Sequence, residues 1–215
     1  MKKMNNDGFS LIEILVSLAI AAVVLVGTYT LMNSSAKSYR QSSSDIDVQA
    51  ESETTSNFIY ELLLEAQDVR VTDAVAGSAG SCKTLVVLNN KYVKDASTGK
   101  QNAQPQYNFI VFDDNNEKLY FKKVSALDAD GKLIPYSIDV VNSNIADVVD
   151  DTKLLAEHVK TFNVSPSRLK AQTPISYEIV IDDGTASPYK STNSVITRNY
   201  IEDESAATPT PTPAP

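Results

Sequence analysis

The chain has 215 residues, a formal charge of −8 and a single cysteine, Cys82, which excludes an intrachain disulfide. Its length indicates one domain with an appendage, or two small domains. Lys and Arg total 19 against 27 Asp and Glu, and this acidic balance argues against direct binding to nucleic-acid phosphates. With one histidine, His158, and one cysteine, the sequence offers no metal-ligand set and no catalytic set, so neither a cofactor nor an enzymatic activity is expected.

The first element, residues 1–8, is short and polar and contains Lys2 and Lys3. A mostly apolar, uncharged run follows from Ile14 to Ala36 and is long enough to cross a bilayer as a helix. Lysines in front of such a span hold that end on the cytoplasmic side, so the rest of the chain is expected to be extracytoplasmic. Glu13 lies at the start of the run. Because an ionised carboxylate in hydrocarbon is costly, Glu13 is a functional candidate.

Two other interpretations of this span stay open. Ser34-Ser35-Ala36 has the small residues of a secretory signal-peptide cleavage site, although the apolar run is longer than such peptides usually carry. The other interpretation is a plain single-pass anchor, in which Glu13 reaches the headgroup region.

The segment from Lys37 to about Arg70 contains no proline or glycine and predicts a helix. Its apolar residues recur at spacings of three and four, so one face is expected to pack on the rest of the protein. A single helix from Phe9 to about Val69 would be roughly 90 Å long. The predicted apolar face consists of Ile46, Ala50, Phe58, Ile59, Leu62, Leu63, Ala66 and Val69.

Residues 77–81 are glycine-rich and mark the change from helix to strands. A helix followed by an antiparallel series of strands predicts an α+β fold. Strands are predicted at 84–88, 107–112, 118–124, 136–141, 160–164, 175–181 and 194–200, with a hairpin loop at 113–117. The predicted organisation is a leader at 1–8, a transmembrane or filament-core helix at 9–36, an amphipathic stalk helix at 37–70, a β-rich head at 71–204 and a disordered Thr/Pro-rich tail at 205–215.

Three smaller features have ordinary interpretations. Asp128-Ala129-Asp130-Gly131 resembles part of a calcium loop but lacks the later acids, so a turn with Gly131 in the left-handed region is preferred. His158 is expected at a strand edge, and Cys82 as a small packed thiol. Gly27 either permits close packing or unwinding of the helix, or is a small residue tolerated in a membrane.

Gly8-Phe9-Ser10-Leu11-Ile12-Glu13, followed by the apolar run, resembles the prepilin cleavage and methylation motif of type IV pilins and type II secretion pseudopilins. The resemblance implies that a prepilin peptidase cuts between Gly8 and Phe9 and methylates the new amino terminus at Phe9. It also implies that Glu13 pairs with the N-terminal amine of an adjacent subunit. Asp7 departs from the family, which often has a basic residue there.

The resemblance implies a structural subunit of a type IV pilus-like filament, in the cytoplasmic membrane first and at the cell surface after assembly. A minor pilin or pseudopilin is favoured by the head length and the lack of the disulfide that many pilins carry. The implied partners are the prepilin peptidase, other pilin or pseudopilin subunits, the inner-membrane assembly platform and the lipid bilayer. The alternative function is a membrane-anchored extracytoplasmic binding or adhesin protein that never polymerises, and it predicts an uncleaved N-terminus.

Overall fold

The structure is a computed structural model of the chain, and it describes residues 10–76, 80–94, 99–148, 153–168, 173–185 and 187–199. The predicted leader at 1–8 and the predicted tail at 205–215 lie outside the described residues. The chain divides into two compact units, Met1–Ile46 and Asp47–Pro215. A continuous helix, α1 (Leu11–Leu64), contributes residues to both units.

The second unit contains two antiparallel sheets in addition to the C-terminal part of α1. The elements after α1 are β1 Asp68–Val75, β2 Ser81–Lys94, β3 Gln101–Asp113, β4 Lys118–Ser125, α2 Ile138–Ile145, β5 Leu154–Ala156, β6 Val159–Ser165, β7 Ile175–Ile181 and β8 Tyr189–Val195. Strands β1 to β5 form one sheet in chain order, and β6 to β8 form the other. A long apolar helix followed by antiparallel sheets confirms the predicted α+β class.

The five-stranded sheet is buried on both faces. One face packs with Ile59 and Leu63 of α1, and the other packs with Val141 and Ile145 of α2. Successive side chains of a strand point to opposite faces, so a strand covered on both sides is apolar without interruption. This explains the continuous apolar run at 84–88, which lies inside β2.

The face of α1 that packs on the sheets differs from the predicted face towards its N-terminal end. Ile59 and Leu63 are buried as predicted, whereas Ile46 is 62% exposed and Ala50 is also exposed. Small hydroxyl residues take the place of the expected apolar ones. The buried residues of α1 are Val48, Ser52, Thr55, Ser56, Ile59 and Leu63.

Ser56 joins α1 to the three-stranded sheet through hydrogen bonds. The Tyr177 hydroxyl donates to the Ser56 carbonyl oxygen at 2.7 Å. Asn193 Nδ2 and the Ser191 hydroxyl donate to Ser56 Oγ at 2.7 and 2.9 Å. These bonds offset the desolvation of the buried polar groups. Ser52, one turn earlier, is fully buried, and its hydroxyl has no hydrogen-bond partner.

The helix ends earlier than predicted. Helix α1 stops at Leu64 rather than at about Val69, and β1 already begins at Asp68, ahead of the glycine-rich segment. The Gln67 amide donates to the Leu88 carbonyl oxygen at 2.8 Å, so pairing with β2 starts at that point. Long-range strand pairing therefore overrides the helical spacing of the residues that follow Leu64.

Two predicted strands are also misplaced. The strand predicted at 136–141 is largely replaced by α2, which begins after Ser137. The Ser137 hydroxyl accepts a hydrogen bond from the Val140 amide, which is the geometry of a helix N-cap. The strand predicted at 194–200 lies earlier, at Tyr189–Val195. In contrast, β7 has the predicted bounds, and the predicted loop at 113–117 does join β3 to β4.

Candidate processing and assembly site

Ser10 caps the N-terminus of α1. Its hydroxyl oxygen accepts a hydrogen bond from the Glu13 amide at 3.3 Å, and its carbonyl oxygen accepts from the same amide at 3.0 Å. The spacing Ser-x-x-Glu is that of a capping box, so this N-cap is recognisable from the sequence. The cap places Glu13 in the first turn of the helix, where the helix dipole stabilises a negative charge.

The Glu13 side chain is exposed. Among the described residues, which begin at Ser10, its carboxylate has no hydrogen-bond or ion-pair partner. The helix therefore presents an unpaired carboxylate close to its N-terminal end, at the border of the apolar segment. A cation from outside the described part of the chain can reach it.

No described part of the protein covers the apolar residues that follow Glu13. Every large apolar side chain from Leu11 to Met32 is at least half exposed, from 51% for Val16 to 82% for Leu11. Soluble monomers rarely expose a continuous apolar surface of this extent, so lipid or other protein must cover it. By length and composition, α1 is the helix among the described residues that is able to cross a membrane.

The hydroxyl side chains inside this apolar segment are paired within the helix. Ser17 donates to the Glu13 carbonyl oxygen at 2.7 Å, and Thr28 donates to the Val24 carbonyl oxygen at 2.7 Å. Thr30 donates to the carbonyl oxygen of the residue three positions earlier at 2.8 Å. Polar groups satisfied in this way are tolerated in hydrocarbon, where water cannot bond them.

Gly27 lies within the continuous α1 helix. A Cβ atom placed at this position would meet no atom within 4 Å, so the single chain does not require a glycine here. The helix is intact at Gly27 in the single chain. Unwinding of the helix in a fibre stays a prediction. Close packing in a fibre would involve a neighbouring chain.

Gly8 and Phe9 lie outside the described residues, immediately before Ser10. The segment that contains them nevertheless matches a described protein family. Residues 3–29 match the family described as "Prokaryotic N-terminal methylation motif". Neither the curated proteins nor the solved structures provided a match.

The motif and the exposed apolar helix behind it fit a membrane-anchored protein with an N-terminal methylation signal. More specifically, they support a type IV prepilin-like protein. Proteins that carry this motif are generally structural rather than enzymatic.

Cys82 is a packed thiol, as predicted. It lies in β2 and is only 2% exposed, within the cluster formed by the five-stranded sheet and α2. Burial, together with the negative charge of Asp113, raises the pKa of Cys82 to about 11. Burial therefore favours the protonated thiol over the thiolate that would act as nucleophile or metal ligand.

The acidic segment at 128–131 forms a turn, which confirms the preferred interpretation. Asp128 Oδ1 accepts hydrogen bonds from the amides of Asp130 and Lys132 at 3.0 and 2.8 Å. Gly131 has a φ of +75°, in the left-handed region that glycine adopts readily. No cluster of three metal-binding side chains occurs in the described ranges.

His158 does not lie at a strand edge, so that expectation is corrected. It occupies the turn between β5 and β6, is exposed, and has a φ of +55°. Its carbonyl oxygen accepts a hydrogen bond from the Asp182 amide at 2.9 Å, which fixes the turn against the end of β7. The tight connection between two short strands explains the unusual backbone conformation.

Proposed function

We propose that this chain is a structural subunit, of the minor pilin or pseudopilin type, of a type IV pilus-like filament. The prepilin peptidase cleaves it between Gly8 and Phe9, methylates Phe9, and so releases a subunit that assembles through the apolar half of α1. One observation carries the proposal. The segment that matches the methylation motif, 3–29, overlaps a helix whose large apolar side chains from Leu11 to Met32 are not covered by the described residues.

Cleavage creates a positive charge that is able to pair with the Glu13 carboxylate of a neighbouring subunit. Removal of residues 1–8 takes away two lysines and one aspartate, so the formal charge changes from −8 to −9. The new amino group at Phe9 is a cation at the border of the apolar segment. A carboxylate from a neighbouring subunit offsets the cost of desolvating this cation, and the cation does the same for Glu13. Such a pair also fixes the stagger between adjacent helices.

The proposed orientation follows from the charges of the leader. Lys2 and Lys3 hold the N-terminus on the cytoplasmic side, and the unit that begins at Asp47 is then extracytoplasmic. In this arrangement the lipid bilayer covers the apolar half of α1 before assembly. Other pilin or pseudopilin subunits and the inner-membrane assembly platform replace lipid around it afterwards.

The test is the N-terminus of the protein taken from membranes that contain an active prepilin peptidase. Intact-mass measurement and N-terminal sequencing are expected to show a chain that starts with N-methyl-Phe9. Membranes with an inactivated peptidase serve as the control and are expected to retain Met1. Retention of Met1 in the presence of the active enzyme would overturn the proposal and favour the anchored protein that never polymerises.

A further inference from the structure

Strands β2 and β3 extend beyond the five-stranded sheet as a two-stranded ribbon. Pairing with β1 ends at Leu88, and pairing with β4 ends at Gln106. Beyond these points, residues 91–94 pair only with residues 101–104, and no other described strand lies beside either edge. We call these two stretches, 91–94 and 101–104, the arm.

The root of the arm is fixed to the rest of the unit. Asn89 Nδ2 donates to the carbonyl oxygen of Leu62 in α1 at 3.0 Å. On the other strand, the Pro105 carbonyl oxygen accepts a hydrogen bond from the Ala126 amide at 3.0 Å. The arm therefore leaves the sheet in a defined direction, although none of its own side chains is buried.

The arm presents side chains that suit a protein contact. Lys91, Tyr92 and Lys94 are exposed, and Tyr92 exposes 63% of its surface. Because side chains alternate along a strand, Tyr92 and Lys94 lie on the same face of the ribbon. Tyrosine is enriched in protein interfaces, and the two lysines beside it add a positive charge that selects an acidic partner.

The charge of the arm is opposite to that of the rest of the chain. Its two stretches, 91–94 and 101–104, contain two lysines and no acidic residue, a formal charge of +2, which leaves −10 on the remainder of the chain. A second copy of the same chain therefore offers a complementary, acidic surface. Two arms repel each other, so a contact from arm to arm is disfavoured.

We propose that the arm binds the acidic surface of a second copy of this chain. The contact joins two different surfaces, and a contact of this kind generates open helical assemblies unless the rotation between copies closes a ring. It would add an interaction between neighbouring heads to the helix contacts of the filament, a setting that rests on the proposed function. The filament also raises the local concentration of copies, so that a weak contact becomes effective.

The experiment uses the full chain, uncleaved, in nanodiscs that hold one copy each. Lipid then covers the apolar half of α1, and association between discs reports contacts between heads. Sedimentation velocity at low ionic strength is expected to show concentration-dependent association that falls as salt is added. Because uncleaved protein is used, failure of this test is distinguishable from failure of the cleavage test. Absence of association at every protein concentration would overturn the inference.

Lys94→Glu tests the arm, and Lys132→Glu is its matched control, since Lys132 is also exposed and each change lowers the charge by the same amount. Lys94→Glu is expected to weaken association about tenfold, because it places like charges together. Lys132→Glu is expected to have little effect. Equal weakening by both would assign the effect to net charge and would overturn the inference. An unchanged thermal unfolding curve checks that each variant is folded.

Two further measurements distinguish the proposed contact from another role of the arm lysines, which is to prevent pairing with other strands. Lysines on open strand edges also prevent unwanted pairing, and that role predicts more association for Lys91→Ala/Lys94→Ala. The proposed contact predicts less. In mixtures, Lys94→Glu copies keep their acidic surface, so they are expected to bind wild-type arms and to shorten wild-type assemblies. Variant copies that have no effect on wild-type assemblies would contradict the inference.

Discussion

The two ends of α1 place apolar and polar residues in opposite ways. From Leu11 to Met32 the large apolar side chains are all at least half exposed, whereas the residues buried between Val48 and Leu63 include three with hydroxyl groups. Hydrophobicity along the helix therefore does not indicate burial within the chain. At the N-terminal end it indicates surroundings outside the chain, either lipid or other protein. At the C-terminal end, hydrogen bonds such as those to Ser56 allow polar residues to be buried.

The largest effect is expected from a substitution at Glu13, at the N-terminal end of α1. If the N-terminal end of α1 is an assembly surface, Glu13→Ala is expected to abolish incorporation into filaments while membrane insertion stays intact. Removing one partner of a desolvated ion pair costs about 3–5 kcal/mol, because the other charge stays unpaired. Immunoblots of sheared filaments and of membrane fractions measure the two quantities.

The control for this prediction is Glu13→Asp, which keeps the charge and is expected to retain part of the incorporation. Glu13→Gln keeps the shape without the charge and is expected to behave like Glu13→Ala. Wild-type incorporation of Glu13→Ala would show that Glu13 has no role in assembly.

At the C-terminal end of α1, Ile59→Ala tests packing against the sheets. Ile59 is fully buried, so the change is expected to lower the free energy of unfolding by about 2–5 kcal/mol. Ile46→Ala, at a site 62% exposed on the same helix, is the matched control and is expected to stay within about 0.5 kcal/mol of wild type. Denaturant unfolding of the membrane-reconstituted chain measures both. Equal losses would mean that burial does not distinguish the two sites.

Smaller changes in the free energy of unfolding are expected at Ser52 and Ser56, the buried serines at the C-terminal end of α1. Ser56→Ala removes the hydroxyl that Ser191 and Asn193 bond, and is expected to cost about 1–2 kcal/mol. Ser52→Ala removes a buried hydroxyl without a partner, so it is expected to be neutral or to stabilise by up to about 1 kcal/mol. The same unfolding measurement applies. A larger loss for Ser52→Ala than for Ser56→Ala would contradict the assignment of the two hydroxyls.

The smallest predicted effect concerns the acid stability of the second unit. Asp147 accepts ion-paired hydrogen bonds from Lys122 at 2.6 Å and from Lys153 at 3.0 Å, and these hold its pKa well below the usual value of 3.8. Since the folded pKa is lower than the unfolded one, the contribution to stability is complete above pH 3.8 and is lost as the pH falls towards the folded value.

Asp147→Asn is therefore expected to reduce the dependence of the free energy of unfolding on pH in the acid range, by a small amount because the site is at the surface. Asp130→Asn, an exposed aspartate outside these ion pairs, is the control. Identical acid dependence of wild type and Asp147→Asn would show that the two lysines do not stabilise the charged form.

The strands that were predicted correctly are those whose own alternation of apolar and polar residues is clear. Strand β7 was predicted at both ends because its odd-numbered residues, from Ile175 to Ile181, are buried and alternate with exposed or partly buried ones. The outer half of β2 was missed, since the arm is polar and its strand structure depends on pairing with β3. Helix α2 was mistaken for a strand because its first residues alternate, and the spacing of Val141, Ile145 and Val148 appears only further along.

The N-terminal motif was easier to recognise in the sequence than the fold. The residues from Gly8 to Glu13 form a short contiguous motif, so their recognition needs no tertiary structure, and the match over 3–29 agrees with it. The same residues also contain the capping-box spacing from which the helix N-cap at Ser10 can be recognised. The burial of Ser56 was not predictable, because its hydrogen-bond partners come from β7 and β8, more than a hundred residues away in sequence.

The internal pairing of Ser17, Thr28 and Thr30 has a consequence for exchange between media. These hydroxyls bond to carbonyl oxygens of the same helix, so they carry their partners with them wherever the helix goes. If the chain assembles as proposed, moving the segment from a bilayer into a fibre requires none of these hydrogen bonds to be broken, and one apolar environment is replaced by another. The same holds in the reverse direction, so a subunit released from a fibre would return to lipid with its helix unchanged and ready for another round of assembly.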